Sequence, residues 1–155
     1  MIPKNYVLTI LLATGLLLGG SSCKRTVERM LVKGTYEVVD FKMNGGTVNL
    51  MEIALKNYVS NSACCRYEIT FDDNGTCTAS YFINDTLDYS RGGTWELLKR
   101  DVIDIKLDLY VDGIYEIEKH DKRNFTLFSS FNKVDPAFFG GMQGPAEVKI
   151  IRTDI

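Results

Sequence analysis

The chain has 155 residues, of which 45% are hydrophobic and 25% are charged. This length and composition suit a single globular domain, with no room for two once a leader is set aside. The formal net charge of −2 at pH 7 argues against a nucleic-acid-binding surface. No apolar stretch after residue 23 approaches the roughly 20 residues that a membrane-spanning helix needs, so we predict a soluble domain.

Residues 1–22 have the pattern of a secretory signal peptide. A basic residue, Lys4, precedes an apolar core from Tyr6 to Leu18, and four small residues then lead to Cys23. Small residues that run directly into a cysteine resemble the lipobox of bacterial lipoproteins, in which the cysteine is acylated and becomes the mature N-terminus. The alternative is an ordinary secreted protein in which Cys23 is incidental.

The lipobox resemblance implies how the chain is anchored. Cys23 is the predicted site of lipid attachment, by acyl chains such as palmitate, and residues 23–30 would tether a domain over 31–155. Two or three acyl chains hold a soluble domain firmly on a membrane, because each buried methylene contributes ~0.8 kcal/mol. Lys24, rather than Asp, follows the cysteine. The resemblance therefore implies the outer membrane of a Gram-negative bacterium, with the domain either periplasmic or displayed on the surface.

The clearest periodicity lies between residues 65 and 83 and predicts a β-hairpin. Odd-numbered apolar residues alternate with polar ones on both sides of a turn signal at 73–75. Because directly opposed residues in an antiparallel pair share a face, odd positions must oppose odd positions. This selects a three-residue loop with Gly75 in the left-handed conformation. The register predicts the opposed pairs Tyr67 with Tyr81 and Phe71 with Cys77.

The remaining elements extend this pattern to eight strands. The first strand, over about 32–43, changes phase near Val38 and Val39, which predicts a β-bulge. A short helix is predicted between the first two strands, because Asn49 is a plausible N-cap and apolar residues recur at helical spacing from Met51. Eight strands in sequence predict an all-β, antiparallel, up-and-down barrel. The predicted loops include 84–88, 99–101, 111–113, 120–122 and 132–145.

In such a meander the loops alternate between the two ends of the barrel, and here the ends are unequal. One end carries loops of about three residues, and the other carries the helix and the segments 84–88 and 132–145. Loops longer than roughly 12 residues in a compact domain are usually functional or disordered. We expect any binding site at this long-loop end. The segment from Pro136 to Met142 would form a lid, contact a partner or membrane, or fold back to seal the barrel.

Short motifs spread over most of the mature chain resemble a known family. They are Gly34-Thr35-Tyr36, Phe71 before Asp73-Asn74-Gly75, Gly93-Thr94-Trp95 and Tyr115-Glu116-Ile117. From about Leu31 to Arg152 the chain resembles the small lipocalin-like domains of Gram-negative lipoproteins, which implies a lipocalin-like barrel. In lipocalins an arginine near the last strand packs over an aromatic ring on the first, and Arg152 and Tyr36 stand at those positions here. The resemblance implies fold far more than function.

An eight-stranded barrel is just wide enough to be filled by side chains or to hold one small ligand. The predicted inward positions are apolar, with tyrosine hydroxyls and no charge, so a pocket near the long-loop end would suit a neutral hydrophobic molecule. We therefore predict a membrane-anchored, non-catalytic binding module for a small hydrophobic ligand. The alternative is a filled barrel that contacts an envelope protein or a glycan. The predicted ligand-binding residues are Tyr67, Tyr81, Trp95, Leu109, Tyr115, Phe138 and Phe139.

The sequence contains no recognisable catalytic or metal-binding pattern. His120 is the only histidine, and the register places it with Asp121 at a solvated hairpin tip, where they cannot build a triad. The register also separates Cys65 from Cys77 by roughly 20 Å, too far for a disulfide. Both cysteines are expected to be small buried residues, and the alternatives are a Cys64–Cys65 bond or an intermolecular bridge. We predict no cofactor, no metal and no enzymatic activity.

Overall fold

The computed structural model describes residues 30–31, 33–53, 65–107, 110–136 and 140–155. Eight antiparallel strands follow one another in sequence order around a closed barrel, and the last strand pairs with the first. A short helical segment at 50–53 lies between the first and second strands. The predicted barrel is therefore confirmed. Its strands are β1 (Gly34–Met43), β2 (Cys65–Phe71), β3 (Thr76–Ile83), β4 (Thr86–Lys99), β5 (Val102–Leu107), β6 (Val111–Lys119), β7 (Asn124–Lys133) and β8 (Gln143–Arg152).

The hairpin of β2 and β3 has the predicted register. Tyr67 pairs with Tyr81, and Phe71 pairs with Cys77. All four side chains are buried, so the odd-numbered positions face the barrel interior. At the turn Gly75 has a φ of 81°, a left-handed conformation that glycine adopts without steric cost.

β1 contains the predicted bulge and makes only a short seam with β2. Its pairing with β8 shifts just after Val38, so that Val38 and Phe41 are both buried in the interior. Pairing with β2 is limited to Gly34–Glu37. Beyond this range the Asn49 side chain stands where a neighbouring strand would be. It accepts a hydrogen bond from the Phe41 N–H at 3.0 Å and donates one to the Val39 carbonyl at 3.0 Å.

Asn49 also begins the helix, as predicted. Its side-chain oxygen accepts a hydrogen bond from the Met51 N–H at 3.0 Å, which satisfies one of the free amides of the first turn. The Met51 side chain is buried in the barrel. The predicted continuation of the helix through Ala54, Leu55 and Tyr58 lies outside the described residues.

The predicted loop at 84–88 is wrong in length. Asn84 and Asp85 form a tight turn with φ values of 48° and 61°, and β4 begins directly afterwards at Thr86. Asn and Asp tolerate the left-handed conformation better than other non-glycine residues, so this pair can close a hairpin. The β3–β4 hairpin therefore extends further than predicted.

The predicted loops at 111–113 and 132–145 are also corrected. β6 already begins at Val111, and Gly113 lies within it. A Cβ atom on Gly113 would meet the Phe131 carbonyl oxygen at 2.6 Å, so glycine is needed here for the close approach of β7. Asn132 and Lys133 belong to β7, which leaves 134–142 as the connection to β8.

Aromatic rings and one arginine close the short-loop end. The buried Tyr36 ring meets Phe71 and Phe125 edge to face, with centroids 5.8 and 5.7 Å away. The Arg152 Cζ atom lies 5.9 Å from the centre of the Tyr36 ring, which is the arrangement that the lipocalin resemblance implies. The Tyr36 hydroxyl and Arg152 Nη1 both donate hydrogen bonds to the Met30 carbonyl, at 2.5 and 2.6 Å. These bonds hold Met30 against the short-loop end.

Candidate functional site at the long-loop end

Side chains from three connections fill the mouth of the barrel. Tyr110, from the turn between β5 and β6, extends towards the opposite wall. Its ring centre lies 5.4 Å from that of Tyr67 on β2 and 6.0 Å from that of Phe41 on β1, both edge to face. Met51 from the helix and Val134 from the β7–β8 connection are buried in the same core. The described part of the mouth is thus covered by aromatic and aliphatic groups.

The hydroxyl group of Tyr67 lies buried within this end of the barrel. The Tyr67 side chain is 1% exposed, and its hydroxyl oxygen has no hydrogen-bond partner among the described residues. Burial is the main cause that raises the pKa of Tyr67 above its ordinary value, so the hydroxyl is neutral at physiological pH. A buried polar group left without a partner costs about 1–3 kcal/mol. A ligand atom that formed a hydrogen bond here would remove that cost.

Tyr115, by contrast, has its hydroxyl engaged in a buried network. The hydroxyl donates to Asn132 Oδ1, which also accepts a hydrogen bond from the Asp112 N–H at 2.9 Å. Asn132 Nδ2 donates to the Tyr110 carbonyl at 2.8 Å. Asn132 is fully buried, so its amide fastens the β5–β6 turn to β7 and positions the Tyr110 ring across the mouth.

A charged pair lies at the edge of the mouth. Arg91 on β4 pairs in register with the fully buried Ala79 on β3, so it belongs to the inward face of the sheet. Its Nη1 atom is 3.1 Å from Asp135 Oδ2 in the β7–β8 connection, and the two side chains are 39% and 24% exposed. The prediction of an uncharged lining is therefore wrong at this edge.

The structure brings together only some of the predicted ligand-binding residues. Tyr67, Tyr81 and Tyr115 all point into the interior. Trp95 lies near the opposite, short-loop end, where its indole N–H donates to the Asp72 carbonyl at 3.0 Å. Its ring also meets that of Phe71 at 5.7 Å. The residues outside the described part of the chain are Cys23, Leu109, Phe138 and Phe139.

Three residues of this site, Tyr110, Asn132 and Arg91, were not predicted from the sequence. Tyr110 has an even number and follows a strand whose odd-numbered residues face inward, so alternation would place it outside. Its ring points inward because of the path of the β5–β6 connection. Asn132 was expected in a loop, and a polar residue in a predicted loop does not indicate that its side chain is completely buried. For Arg91 a signal was available, because it shares odd parity with Gly93 and Trp95 on β4.

The cysteines agree with the expected register, but only Cys77 is buried as expected, and Cys65 is half-buried. Cys65 pairs with Ile83 and Cys77 with Phe71, at opposite ends of the hairpin. Burial raises the pKa of the Cys77 thiol to about 12, which keeps it protonated and unreactive. Cys64 lies outside the described residues. Within the described ranges, no three His, Cys, Asp or Glu side chains are grouped so that they could hold a metal ion.

Comparison with known proteins adds no family assignment. No protein-family model and no curated protein matches the sequence. The structure shows an eight-stranded closed barrel in which Arg152 lies over the Tyr36 ring. In the described part of the chain, no helix is both long enough and apolar enough to cross a membrane.

Proposed function

We propose that this protein is a lipid-anchored, lipocalin-like binding module that takes a small hydrophobic ligand at the long-loop end of its barrel. The anchor would be Cys23, at the outer membrane of a Gram-negative bacterium, and the module would have no catalytic activity. The lipobox pattern supports the anchor, and the closed barrel supports the binding module. Acylation can be tested by intact mass, because Cys23→Ser should remove the lipid mass.

The observation that carries the ligand proposal is the Tyr67 hydroxyl. It is the polar group of a side chain that is 1% exposed and packs against the Tyr110 ring, and it has no hydrogen-bond partner among the described residues. A site of this kind suits a molecule with an apolar body and one hydrogen-bonding group. Tyr81, which pairs with Tyr67, and Tyr110, which covers it, would contact the same ligand.

A fluorescent probe tests the proposal. N-phenyl-1-naphthylamine is neutral and apolar and carries one N–H group, so it should brighten on binding to the protein. Tyr67→Phe should weaken binding about 5- to 10-fold, the loss expected for one hydrogen bond. Tyr89→Phe is the matched control, because Tyr89 pairs with Tyr81 on the inward face but is 41% exposed. Absence of probe binding, or equal losses in the two variants, would contradict the proposal.

A second candidate function is an interaction lipoprotein with a filled barrel. The packing of Tyr110, Met51 and Val134 in the mouth favours it, because these side chains occupy space that a ligand would need. In that case the protein would contact an envelope protein or a glycan through its outer surface. If this alternative is correct, the fluorescent probe should not bind the unmodified protein.

A further inference from the structure

The outer wall of the barrel carries a cleft of about 480 Å³ that is separate from the mouth. It runs over β6, β7, β8 and β1, on the face directed away from the interior. Val39, which the bulge leaves 37% exposed, and Phe128, which is 39% exposed, supply apolar walls together with Ile151. A concave surface of this volume is in the range of ligand sites in proteins.

Polar groups converge on this cleft around Thr126. Thr126 is only 2% exposed, and in register it stands between Glu118 on β6 and Lys149 on β8. Its hydroxyl oxygen lies 2.8 Å from His120 Nε2, and His120 Nδ1 lies 3.9 Å from a Glu118 carboxylate oxygen. The imidazole ring is thus placed at the cleft by its contact with the Thr126 hydroxyl, and the Glu118 carboxylate lies beyond hydrogen-bond distance on its other side. Asn124 and Glu147 complete the polar lining.

The same three residues do not form a hydrolytic site. A threonine, histidine and carboxylate in this order resemble a nucleophile triad, but a nucleophile must reach the substrate. The Thr126 side chain is buried under the cleft, and the gap between His120 and Glu118 is long for a hydrogen bond. The arrangement instead fixes the orientation of a hydrogen-bonding ring at a binding surface.

The chemistry of the lining selects the class of ligand. Glu118 and Glu147 are acceptors for hydroxyl and amide N–H groups, and they disfavour polyanions. The one lysine, Lys149, is already 3.5 Å from carboxylate oxygens of both Asp40 and Glu147. The exposed Phe128 ring offers an apolar face for stacking. Because the cleft is open to solvent, it fits part of a larger chain molecule better than an enclosed compound.

We propose that this cleft binds a neutral, N-acetylated saccharide. The apolar face of a sugar ring would stack on Phe128, and an acetamido methyl would pack against Val39 and Ile151. The acetamido N–H and the ring hydroxyls would donate hydrogen bonds to Glu118 and Glu147, and His120 would bond a further hydroxyl. The cleft is separate from the barrel mouth, so this proposal does not depend on whether the mouth binds a hydrophobic ligand.

Calorimetric titration with chitotriose tests the inference. The full chain is purified in a polyoxyethylene detergent that contains no sugar, and maltotriose, which lacks acetamido groups, is titrated in parallel. Chitotriose should bind at least 10-fold more tightly than maltotriose. Phe128→Ala should weaken chitotriose binding at least 10-fold, and Glu118→Gln should weaken it several-fold.

Phe131→Ala is the matched control. Phe131 is on the same strand and is 50% exposed, but it does not line the cleft. This variant should bind chitotriose as the unmodified protein does, and thermal unfolding of each variant shows that it is folded. Three results would overturn the inference: no binding of chitotriose at 10 mM, equal binding of maltotriose, or equal losses in Phe128→Ala and Phe131→Ala.

Discussion

Removing the Tyr67 hydroxyl should stabilise the ligand-free protein. The side chain is 1% exposed, and its hydroxyl has no hydrogen-bond partner among the described residues. A phenylalanine keeps the ring contact with Tyr110, whose centroid is 5.4 Å away, and removes the polar atom. An unsatisfied buried hydroxyl costs about 1–3 kcal/mol, so Tyr67→Phe should raise the free energy of unfolding by about 1 kcal/mol.

Tyr115→Phe is the matched comparison and should act in the opposite direction. The Tyr115 hydroxyl donates to Asn132 Oδ1, and its removal deletes a buried hydrogen bond. One such bond contributes about 1 kcal/mol, so the free energy of unfolding should fall by about that amount. The two variants remove the same atom from the same residue type and should differ by about 2 kcal/mol.

Urea unfolding measures both free energies, and thermal unfolding checks the order. For a domain of this size, 1 kcal/mol corresponds to about 4 °C in Tm, so Tyr67→Phe should melt about 4 °C higher. This stabilised variant should also bind the hydrophobic probe less tightly, because it lacks the hydroxyl that would bond the ligand. A Tyr67→Phe variant that is destabilised as much as Tyr115→Phe would refute the view that the Tyr67 hydroxyl is left unsatisfied for a ligand.

Three further predictions concern other parts of the barrel. Asn132→Ala should lower the free energy of unfolding by about 3 kcal/mol in urea titrations, because three groups lose their partner, two of them in buried hydrogen bonds; a change below about 0.5 kcal/mol would contradict the network. Gly93→Ala should lower it by about 2 kcal/mol, since the new Cβ would lie 2.2 Å from the Lys106 carbonyl oxygen. Gly92→Ala should change the free energy of unfolding little, because a Cβ atom on Gly92 would meet no atom within 4 Å. Similar losses in the two variants would contradict the role of the close contact at Gly93. Burial raises the pKa of Tyr36 from 10.0 to about 12, so the unfolded chain loses this proton first, and stability should fall as the pH rises from 10 to 12. Urea midpoints that stay constant over that range would contradict it.

Strand alternation explains why the barrel could be predicted. In β2, β3, β5 and β8 one face is buried and the other polar, so parity alone fixed the inward residues and the Tyr67–Tyr81 pair. The phase change at Val38 and Val39 identified the bulge for the same reason. The contact of Arg152 with Tyr36 followed from family resemblance.

The remaining features depend on contacts between distant residues. Gly113 was expected in a turn, as a glycine often is, but it lies where β7 approaches β6. The burial of Asn132 depends on hydrogen bonds with Tyr110, Asp112 and Tyr115, which lie about 20 residues away in the sequence. His120 was expected at a solvated turn, and its contact with Thr126 arises only when β6 and β7 pair.

Native mass spectrometry of the protein, purified gently from its own host, tests the proposed function most directly. A form that begins at Lys24 keeps every described residue of the barrel and lacks Cys23, the proposed site of acylation. We expect a reproducible small hydrophobic adduct that is reduced in Tyr67→Phe and retained in Tyr89→Phe. A bare mass, under conditions that preserve a known lipocalin complex, would contradict the binding module and favour the filled barrel.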